Sequence, residues 1–426
     1  MKLYSSLSRR VEPFTHQGPA VGVYVCGITP YDTTHLGHLF TYSSFDVLIR
    51  YLEFLGHQVR YVQNVTDIDD DILRKAKQVN DDWRAVGNRW TSRFIQDMEA
   101  TNIRPPDHFP RATDVIPQMF PLVQKLVEAG LAYESAGNVY FDVDTWPSYG
   151  QLSAIPHDQM LSIANQRGNN PNDPHKRHPL DFVLWQAQAP GEPVWHSPWG
   201  PGRPGWHIEC STMATLFLGN CVDIHGGGAD LIFPHHESEI AQSEGATGQA
   251  PFVRFWMHTA MVRHEGEKMS KSLGNLVMVQ ELRRTWSADA LRLYMANHHY
   301  REAWSHDVDE LEQAERLAHQ LGVAAQVEGG AEPSNDPTWA RAAFSAAMDD
   351  DLNTPATLPV LEQLAREIRE AASAGQDVSV AQELLAAMAG VLGLRLGATS
   401  PEAEFRSQTK WDELLAGWNR HLEQFR

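Results

Sequence analysis

Hydrophobic and polar residues near the start of the chain follow two different periods. Residues 21–25 (VGVYV) are mostly β-branched or aromatic and lead into Cys26-Gly27, a pattern that predicts a buried strand ending in a glycine turn. The next stretch repeats its apolar residues at helical spacing and reaches Gly56, which is placed to end a helix. The residues of this helical face are Phe45, Leu48, Leu52 and Leu55. Residues 58–65 (QVRYVQNV) predict a second strand, so the chain begins with a β-α-β unit.

The middle of the chain departs from this pattern. Residues 105–207 pass from a helical stretch into sequence rich in Pro, Gly, Asn and Trp, which we interpret as an insertion between two halves of one nucleotide-binding domain. From His306 onward the apolar residues follow helical periodicity. We therefore expect an α/β domain over residues 1–305 and an α-helical domain over residues 306–426.

Composition and charge narrow the possible functions. A chain of 426 residues, 42% hydrophobic and 21% charged, is long enough for two or three domains with ample core. No apolar run reaches the length of a membrane span, so we expect a cytoplasmic protein without a membrane partner. Three cysteines are too few for a disulfide framework. The net charge of −19 means that any RNA contact would need local basic patches.

A histidine pair lies between the first predicted strand and helix. The tetrapeptide His35-Leu36-Gly37-His38 lets helix N-terminal N–H groups and two imidazoles face a phosphate, while Gly37 allows close approach of an adenine ring. Alone, this tetrapeptide is equally well explained by two surface or helix-capping histidines. Both interpretations stay open at this point.

Two lysines and two hydroxyls follow far downstream, in Lys268-Met269-Ser270-Lys271-Ser272. On a glycine-flanked loop they suit a mobile phosphate clamp that stabilises charge on departing pyrophosphate. A solvated basic loop would explain any two lysines. The combination of this pentapeptide with the upstream HLGH string favours ATP binding.

Cys26, Cys210, His235 and Glu239 form a candidate metal site. His235 and Glu239 are four residues apart, so on a helix they face one ion together. Sparse cysteines are also common as inert core residues, and spacing alone leaves that alternative open. Cys221 has no ligand-like neighbours and is interpreted as a core residue.

Several long strings together resemble the class I cysteinyl-tRNA synthetases. They are YVCGITPYDTTHLGH, QNVTDIDD, RPGWHIECS, DIHGGGADLIFPHHESEIAQSE, GEKMSKSLGN and DDDLNTP, spread from about residue 3 to about residue 393. The resemblance implies an α/β, Rossmann-like catalytic domain with a connective insertion, followed by an α-helical tRNA-binding-type domain, which we expect to have a shortened C-terminus here. It also implies an enzyme that activates L-cysteine with ATP and transfers it to the 3′ end of tRNA-Cys, and we expect a monomer.

The same resemblance assigns residues to roles. Cys26, Cys210, His235 and Glu239 match the ligands of one zinc ion (Zn²⁺) per chain. The ATP-binding signatures match catalytic positions at His35, His38, Lys268 and Lys271, and Mg²⁺ accompanies the ATP.

The resemblance also suggests weaker contacts. Trp206 is a candidate wall of the cysteine pocket, with a core aromatic as the alternative. Asp230 could equally cap a helix, and Asn64 could form a strand-end turn. The expected ATP or adenylate contacts are Gly37, Thr41, Asn64, Thr66, Gly228, Asp230, Ser270 and Ser272.

Two features fit a different acceptor. Residues 166–174 (QRGNNPNDP) and the string CGITPYD resemble the mycothiol-pathway cysteine ligases, which join cysteine to the amine of glucosaminyl-inositol. Only some thirty residues follow residue 394, so we also expect the small terminal domain with which synthetases read the anticodon to be reduced or absent. Glu239 and the strings DIHGGG and EKMSKSLGN are closer to the synthetases, so we favour tRNA-Cys. A third interpretation, an inactive binding module, is opposed by the intact motifs.

Overall fold

The computed structural model of the protein describes residues 1–16, 18–32, 34–269, 274–333, 336–397 and 410–414. The described strands are, in chain order, β1 (Lys2–Ser5), β2 (Arg10–Pro13), β3 (Val21–Ile28), β4 (Val59–Val65), β5 (Ala132–Ser135), β6 (Asn138–Phe141), β7 (Phe182–Ala187), β8 (Trp195–Ser197), β9 (Gly200–Pro204), β10 (Val222–Gly228), β11 (Val253–Thr259), β12 (Val262–His264), β13 (Glu267–Lys268) and β14 (Trp304–Ser305). The described α-helices are α1 (Leu36–Phe54), α2 (Asp70–Val79), α3 (Trp83–Ala100), α4 (Ile116–Glu128), α5 (His157–Asn165), α6 (Trp206–Leu218), α7 (Glu237–Thr247), α8 (Val279–Thr285), α9 (Ala288–Ala296), α10 (Val308–Gln326), α11 (Thr338–Asp349), α12 (Thr354–Ser373) and α13 (Ser379–Val391).

The central sheet has four parallel strands in the order β11-β10-β3-β4. Alternate residues of β3 enter two different cores: Val23 and Val25 pack with α1, whereas Tyr24 and Cys26 pack with α6. Helices on both faces explain why the strand is apolar almost throughout. β3, α1 and β4 confirm the predicted β-α-β unit, and Gly56 takes a positive φ of 89° just beyond the helix.

The inserted segment is more ordered than its composition predicted. It contains α4, α5 and a five-stranded antiparallel sheet in the order β5-β6-β7-β9-β8. The prediction of irregular structure missed these strands because they are three to six residues long, and β9 (GPGRP) carries turn-forming residues. The interpretation as an insertion agrees with the chain path, since β3–β4 precede this sheet and β10–β11 follow it.

Four helices, α10 to α13, follow the α/β part and confirm the predicted helical region. The domain boundary at residues 305/306 stays a prediction. A buried ion pair ties this region to the central sheet: Arg292 of α9 bonds Asp46 of α1 at 2.6 Å and donates to the Leu392 carbonyl just after α13 at 2.8 Å. Among the described residues, no helix is both long and apolar enough to cross a membrane.

Candidate functional site

The candidate site lies at the carboxyl ends of the parallel strands. β3 has β4 on one side and β10 on the other, so the chain reverses its winding direction between β3 and β10. In open α/β sheets the crevice at such a reversal is the usual ligand site. The predicted site residues Cys26, Asn64 and Gly228 all come from strands that end there.

The structure brings the four predicted metal ligands together. One donor atom from each of Cys26, Cys210, His235 and Glu239 lies within 4.8 Å of every other, and all four residues are buried. The two Sγ atoms are 3.8 Å apart, and His235 Nε2 lies 3.1 Å from Glu239 Oε1. The prediction that His235 and Glu239 share a face is met, although His235 lies in a π-helical turn, Ile232–His236, that precedes α7.

A second ligand set overlaps the first. Cys26, His225, His236 and Glu239 satisfy the same distance limit. Cys26 Sγ lies 3.2 Å from His236 Nε2 and 3.6 Å from His225 Nε2. Sequence reasoning missed this set because His225 comes from the neighbouring strand β10, although the i, i+3 spacing of His236 and Glu239 was a readable signal.

Other histidines hold the rings of this cluster in place. His235 Nδ1 contacts His207 Nδ1 at 2.8 Å, and His236 Nδ1 contacts His258 Nε2 at 2.7 Å. His258 Nδ1 in turn contacts Ser6 Oγ at 2.7 Å. These contacts leave Nε2 of His235 and His236 directed at the other candidate ligands, which is how outer partners orient metal-binding imidazoles.

Burial governs the ionisation of the cluster. It lowers the pKa of His207 and of His258 to about 3, and it lowers the pKa of His225, His235 and His236 well below the usual value. These five imidazoles are therefore neutral at pH 7, the form that binds metals.

The acidic members show the opposite direction. Burial, and then the neighbouring Cys210, raise the pKa of Cys26 and of Glu239 well above the ordinary values. The Oε2 atom of Glu239 is buried without a hydrogen-bond partner among the described residues, and the 3.1 Å approach of His235 Nε2 to Glu239 Oε1 lacks the geometry of a hydrogen bond. Two thiols, an imidazole and a carboxylate with unpartnered lone pairs are a donor set that fits a soft divalent ion, and such an ion would reverse these pKa shifts.

Trp206 lies directly beside this cluster. Its half-buried ring stacks on His235 with centroids 4.2 Å apart and an interplanar angle of 20°. Trp206 is the first residue of α6, one turn before Cys210. It is therefore placed to border a ligand that reaches the candidate metal.

The two histidines of the HLGH string cap α1. His35 Nδ1 accepts from the Gly37 N–H at 3.1 Å, and His38 Nδ1 accepts from the His35 N–H at 3.3 Å. Their rings stack with centroids 3.8 Å apart. Because each Nδ1 accepts a backbone proton, each neutral ring carries its own proton on Nε2. Capping through Nδ1 and phosphate binding through Nε2–H use different atoms of each ring, so the two roles are compatible.

Two segments that are distant in sequence meet at this helix end. His35 forms an antiparallel bridge with Met278, and the Leu36 N–H donates to the Val277 carbonyl at 2.8 Å. A side chain added at Gly37 would meet the His35 ring at 3.0 Å, so it would crowd the ring that forms the cap.

The predicted phosphate clamp is described only in part. The backbone of Lys268 belongs to β13. Ser270, Lys271 and Ser272 lie outside the described residues.

Three of the weaker predictions form contacts within the fold. The Asn64 side chain accepts from the Gly27 N–H at 2.8 Å and donates to Thr66 Oγ1 at 3.2 Å, which ties the ends of β3 and β4 together. Thr41 Oγ1 lies 2.8 Å from Thr259 Oγ1 at the end of β11. The strand-end role allowed for Asn64 is therefore present.

Gly228 and Asp230 follow β10 on the other side of the crevice. A side chain at Gly228 would approach Asp230 Oδ1 to 2.6 Å, and Arg167 of the insertion donates to the Asp230 carbonyl. The interpretation of Cys221 as a core residue was wrong: it is exposed, because it lies in the turn between α6 and β10.

Comparison with known proteins follows the same division of the chain. Residues 13–316 match the family described as "tRNA synthetases class I (C) catalytic domain", and residues 343–397 match the DALR domain. The catalytic match covers α1, the candidate metal ligands and the central sheet, and the DALR match covers α12, α13 and most of α11.

Curated relatives are similar over nearly the whole chain. A cysteine–tRNA ligase from Alkalilimnicola ehrlichii is 46% identical over 399 residues, covering 92% of this chain and 85% of the relative. One from Dehalococcoides mccartyi is 44% identical over 405 residues, covering 94% and 88%. One from Heliobacterium modesticaldum is 40% identical over 443 residues, covering 98% and 91%.

Solved structures share the fold at low identity. The Mycobacterium tuberculosis methionyl-tRNA synthetase in complex with methionyl-adenylate superimposes with a TM-score of 0.61 at 16% identity, covering 91% of this chain and 93% of that chain. A LeuRS–tRNA–LeuAMS complex from Agrobacterium radiobacter gives a TM-score of 0.62 at 10% identity, covering 90% and 86%. At these identities the likeness establishes the fold alone.

Proposed function

This chain belongs to the class I (C) tRNA synthetase family, and we propose that it activates L-cysteine with ATP and transfers it to the 3′ end of tRNA-Cys. The observation that carries the proposal is the buried group Cys26, Cys210, His235 and Glu239, which lies at the same end of the sheet as the HLGH helix cap. A thiol-selective metal beside a phosphate-binding helix end suits a reaction between cysteine and ATP.

One zinc ion per chain fits these four residues. A bound zinc would supply a soft Lewis acid that accepts the substrate thiolate as a ligand. The chain's own contribution is the sulfur-rich donor set, held by His207 behind His235, with Trp206 along the side. Serine offers a harder oxygen donor, so discrimination by this one contact reaches roughly 10⁴–10⁵.

His35 and His38 are assigned to the phosphates of ATP. Both Nε2–H groups are donors, and the N-terminus of α1 adds its helix dipole at the same place. Lys268 and Lys271 are proposed to neutralise the pyrophosphate, with Mg²⁺ bound to the nucleotide.

Two steps then complete the reaction. The cysteine carboxylate attacks the α-phosphorus of ATP, the bond to the β-phosphate oxygen breaks, and pyrophosphate leaves. A terminal hydroxyl of the tRNA next attacks the carbonyl carbon of the adenylate and loses its proton, the bond from that carbon to the phosphate oxygen breaks, and AMP leaves. The protein accelerates both steps mainly by positioning and by stabilising charge on the departing phosphates.

The names of the curated relatives favour tRNA as the acceptor over glucosaminyl-inositol. The test is an acceptor assay with purified protein, radiolabelled cysteine and ATP. We expect ester formation on tRNA-Cys from a matched source and none on the aminosugar. Amide formation on glucosaminyl-inositol without charging of tRNA-Cys would contradict the proposal.

A further inference from the structure

A basic groove lies outside the candidate active site. Its volume is about 540 Å³, and it is formed by the second half of α3, by α8 and by the chain just after α13. Four arginines line it, together with two glutamines, one alanine and one glutamate: Arg93, Arg283, Arg284, Arg395, Gln96, Gln280, Ala100 and Glu99. Four guanidinium groups against one carboxylate make the lining strongly positive in a chain of net charge −19.

A buried carboxylate holds two of these arginines. Asp97 of α3 is completely buried, and its Oδ1 lies 2.7 Å from Arg283 Nη1 and 3.4 Å from Arg93 Nη2. Arg283 also donates to the Gln96 carbonyl at 3.3 Å. One carboxylate beneath two guanidinium groups fixes their position while leaving the pair with a net positive charge, an arrangement that suits phosphate oxygens.

The other two arginines are placed differently. Arg395 bonds the Glu99 carbonyl at 3.3 Å, which fixes it at the rim next to α3. Arg284 is exposed and forms no ion pair with any residue that the structure describes. Arg284 has no carboxylate partner there, so its charge is repelled by the three other guanidinium groups of the groove. An anionic ligand would offset this repulsion.

The lining also indicates which part of a nucleic acid fits. No aromatic side chain is among the described lining residues, so no platform for stacking a base is present. Guanidinium and amide groups instead offer donors for phosphate and ribose oxygens, and Glu99 can accept from a 2′-hydroxyl. This chemistry favours the sugar–phosphate backbone of RNA over a free nucleotide or a base-specific contact.

The groove is close to the candidate active site. α8 begins directly after Met278, which bridges His35, and it ends at Thr285, so Arg284 lies about 10 Å further along one short helix. An RNA backbone held here would thus be anchored one helix length from the predicted ATP-binding residues.

We propose that the groove of Arg93, Arg283, Arg284 and Arg395 is a sequence-independent binding site for the phosphodiester backbone of the acceptor tRNA. This inference rests on the proposed tRNA acceptor. The inference goes beyond the proposed function because it identifies the surface through which this acidic protein binds the negatively charged tRNA.

The test compares four variants of the full-length protein: Arg284→Ala, Arg284→Glu, Arg284→Lys and the control Arg10→Ala. Arg10 is an exposed residue of β2, whose hairpin packs beside β11, and it is not among the residues that line the groove. Three readouts are needed: cysteine-dependent ATP–pyrophosphate exchange, binding of a tRNA-Cys transcript by fluorescence anisotropy, and the slope of binding against salt. Exchange needs no tRNA and therefore reports folding and activation separately.

We expect Arg284→Ala to weaken tRNA binding about fivefold to tenfold and to reduce the salt slope by about one unit. Arg284→Glu should weaken it further, Arg284→Lys should restore most of it, and Arg10→Ala should match the wild type. Exchange should stay unchanged in all four variants. Unchanged affinity and salt slope in Arg284→Glu, with normal exchange, would overturn the groove assignment and leave the proposed function intact. Normal groove-dependent binding without charging of tRNA would instead contradict the proposed acceptor step.

Discussion

The Sγ atoms of Cys26 and Cys210 lie 3.8 Å apart although 184 residues separate them along the chain. Cys26 lies near the end of β3, which precedes the insertion, and Cys210 lies in α6, which follows it. The fold therefore brings together two thiols from elements on either side of the inserted segment. Both are buried beside Glu239 and three histidines, and burial disfavours the ionised forms of Cys26 and Glu239 unless a cation binds.

We predict that Cys210→Ser lowers the zinc content of purified protein from about one ion per chain to well below half, because oxygen replaces a thiolate ligand. Metal analysis by mass spectrometry measures this. Cys221→Ser is the matched control, since Cys221 is exposed and outside both ligand sets, and it should keep its zinc. Equal zinc content in the two variants would rule out Cys210 as a ligand.

The two overlapping ligand sets predict different histidine dependence. If Cys26, Cys210, His235 and Glu239 bind the ion, His235→Ala should lower zinc affinity by at least tenfold, while His225→Ala should act only through orientation. Competition with a chelator measures both affinities. A larger loss of zinc affinity in His225→Ala than in His235→Ala would show that the second ligand set binds the ion.

We predict that His38→Ala slows cysteine-dependent pyrophosphate exchange by about 10²-fold to 10³-fold, because its Nε2–H donor is lost from the phosphates. The KM for cysteine should change little. The exposed His319→Ala on α10 serves as control. The urea midpoint of His38→Ala should be checked too, since loss of the cap to the His35 N–H costs about 1 kcal/mol. A normal rate of pyrophosphate exchange in His38→Ala would contradict its role in phosphate binding and show that it acts only as a helix cap.

A stability prediction concerns the buried pair Asp46–Arg292. Asp46→Asn should lower the free energy of unfolding by about 3–5 kcal/mol, because Arg292 stays buried without its anionic partner. Glu312→Gln is the control: it removes an exposed pair with Arg316 and should cost about 0–1 kcal/mol. Urea denaturation measures the free energy of unfolding of both variants. Equal losses would contradict a special stabilising role for the buried Asp46–Arg292 pair.

The pH dependence of this contribution follows from Asp46. Burial alone would raise the pKa of Asp46, but Arg50 and Arg292 outweigh it and the pKa is lowered. A depressed carboxylate pKa gives stability that is present above the unfolded pKa of about 3.9 and is lost as the pH falls through the folded pKa. The difference in stability between wild-type protein and Asp46→Asn should therefore begin to shrink as the pH falls below about 4, and should disappear only below the lowered pKa of the folded protein.

Local patterns were sufficient to predict much of the fold. The apolar run of β3 and the helical face of α1 predicted the β-α-β unit, and the spacing of His235 and Glu239 predicted that they would meet. Their action as zinc ligands stays a prediction. Helical spacing alone could not decide whether His235 or His236 is the metal ligand, because both lie within one turn of Glu239. The second ligand set also needs His225, which reaches the site only because β10 pairs with β3.

Other features depend on tertiary packing that periodicity does not encode. Predicting that His35 and His38 cap α1 would require knowing their side-chain rotamers at the start of the helix. The basic groove brings together Arg93, Arg283 and Arg395, which are far apart in sequence, and the sequence around each of them gives no sign of a shared site. The short strands of the insertion are stabilised by their neighbours in the sheet, so their own sequence gives a weak signal.

The most direct test of the account is X-ray absorption at the zinc edge of the purified protein, recorded alone, with cysteine and with serine. The proposed ligand set predicts two sulfur ligands in the protein alone, three after cysteine is added, and two with serine. A single sulfur ligand in the protein alone would contradict the ligand set. No change in the number of sulfur ligands on adding saturating cysteine would contradict recognition of the substrate thiol by the metal.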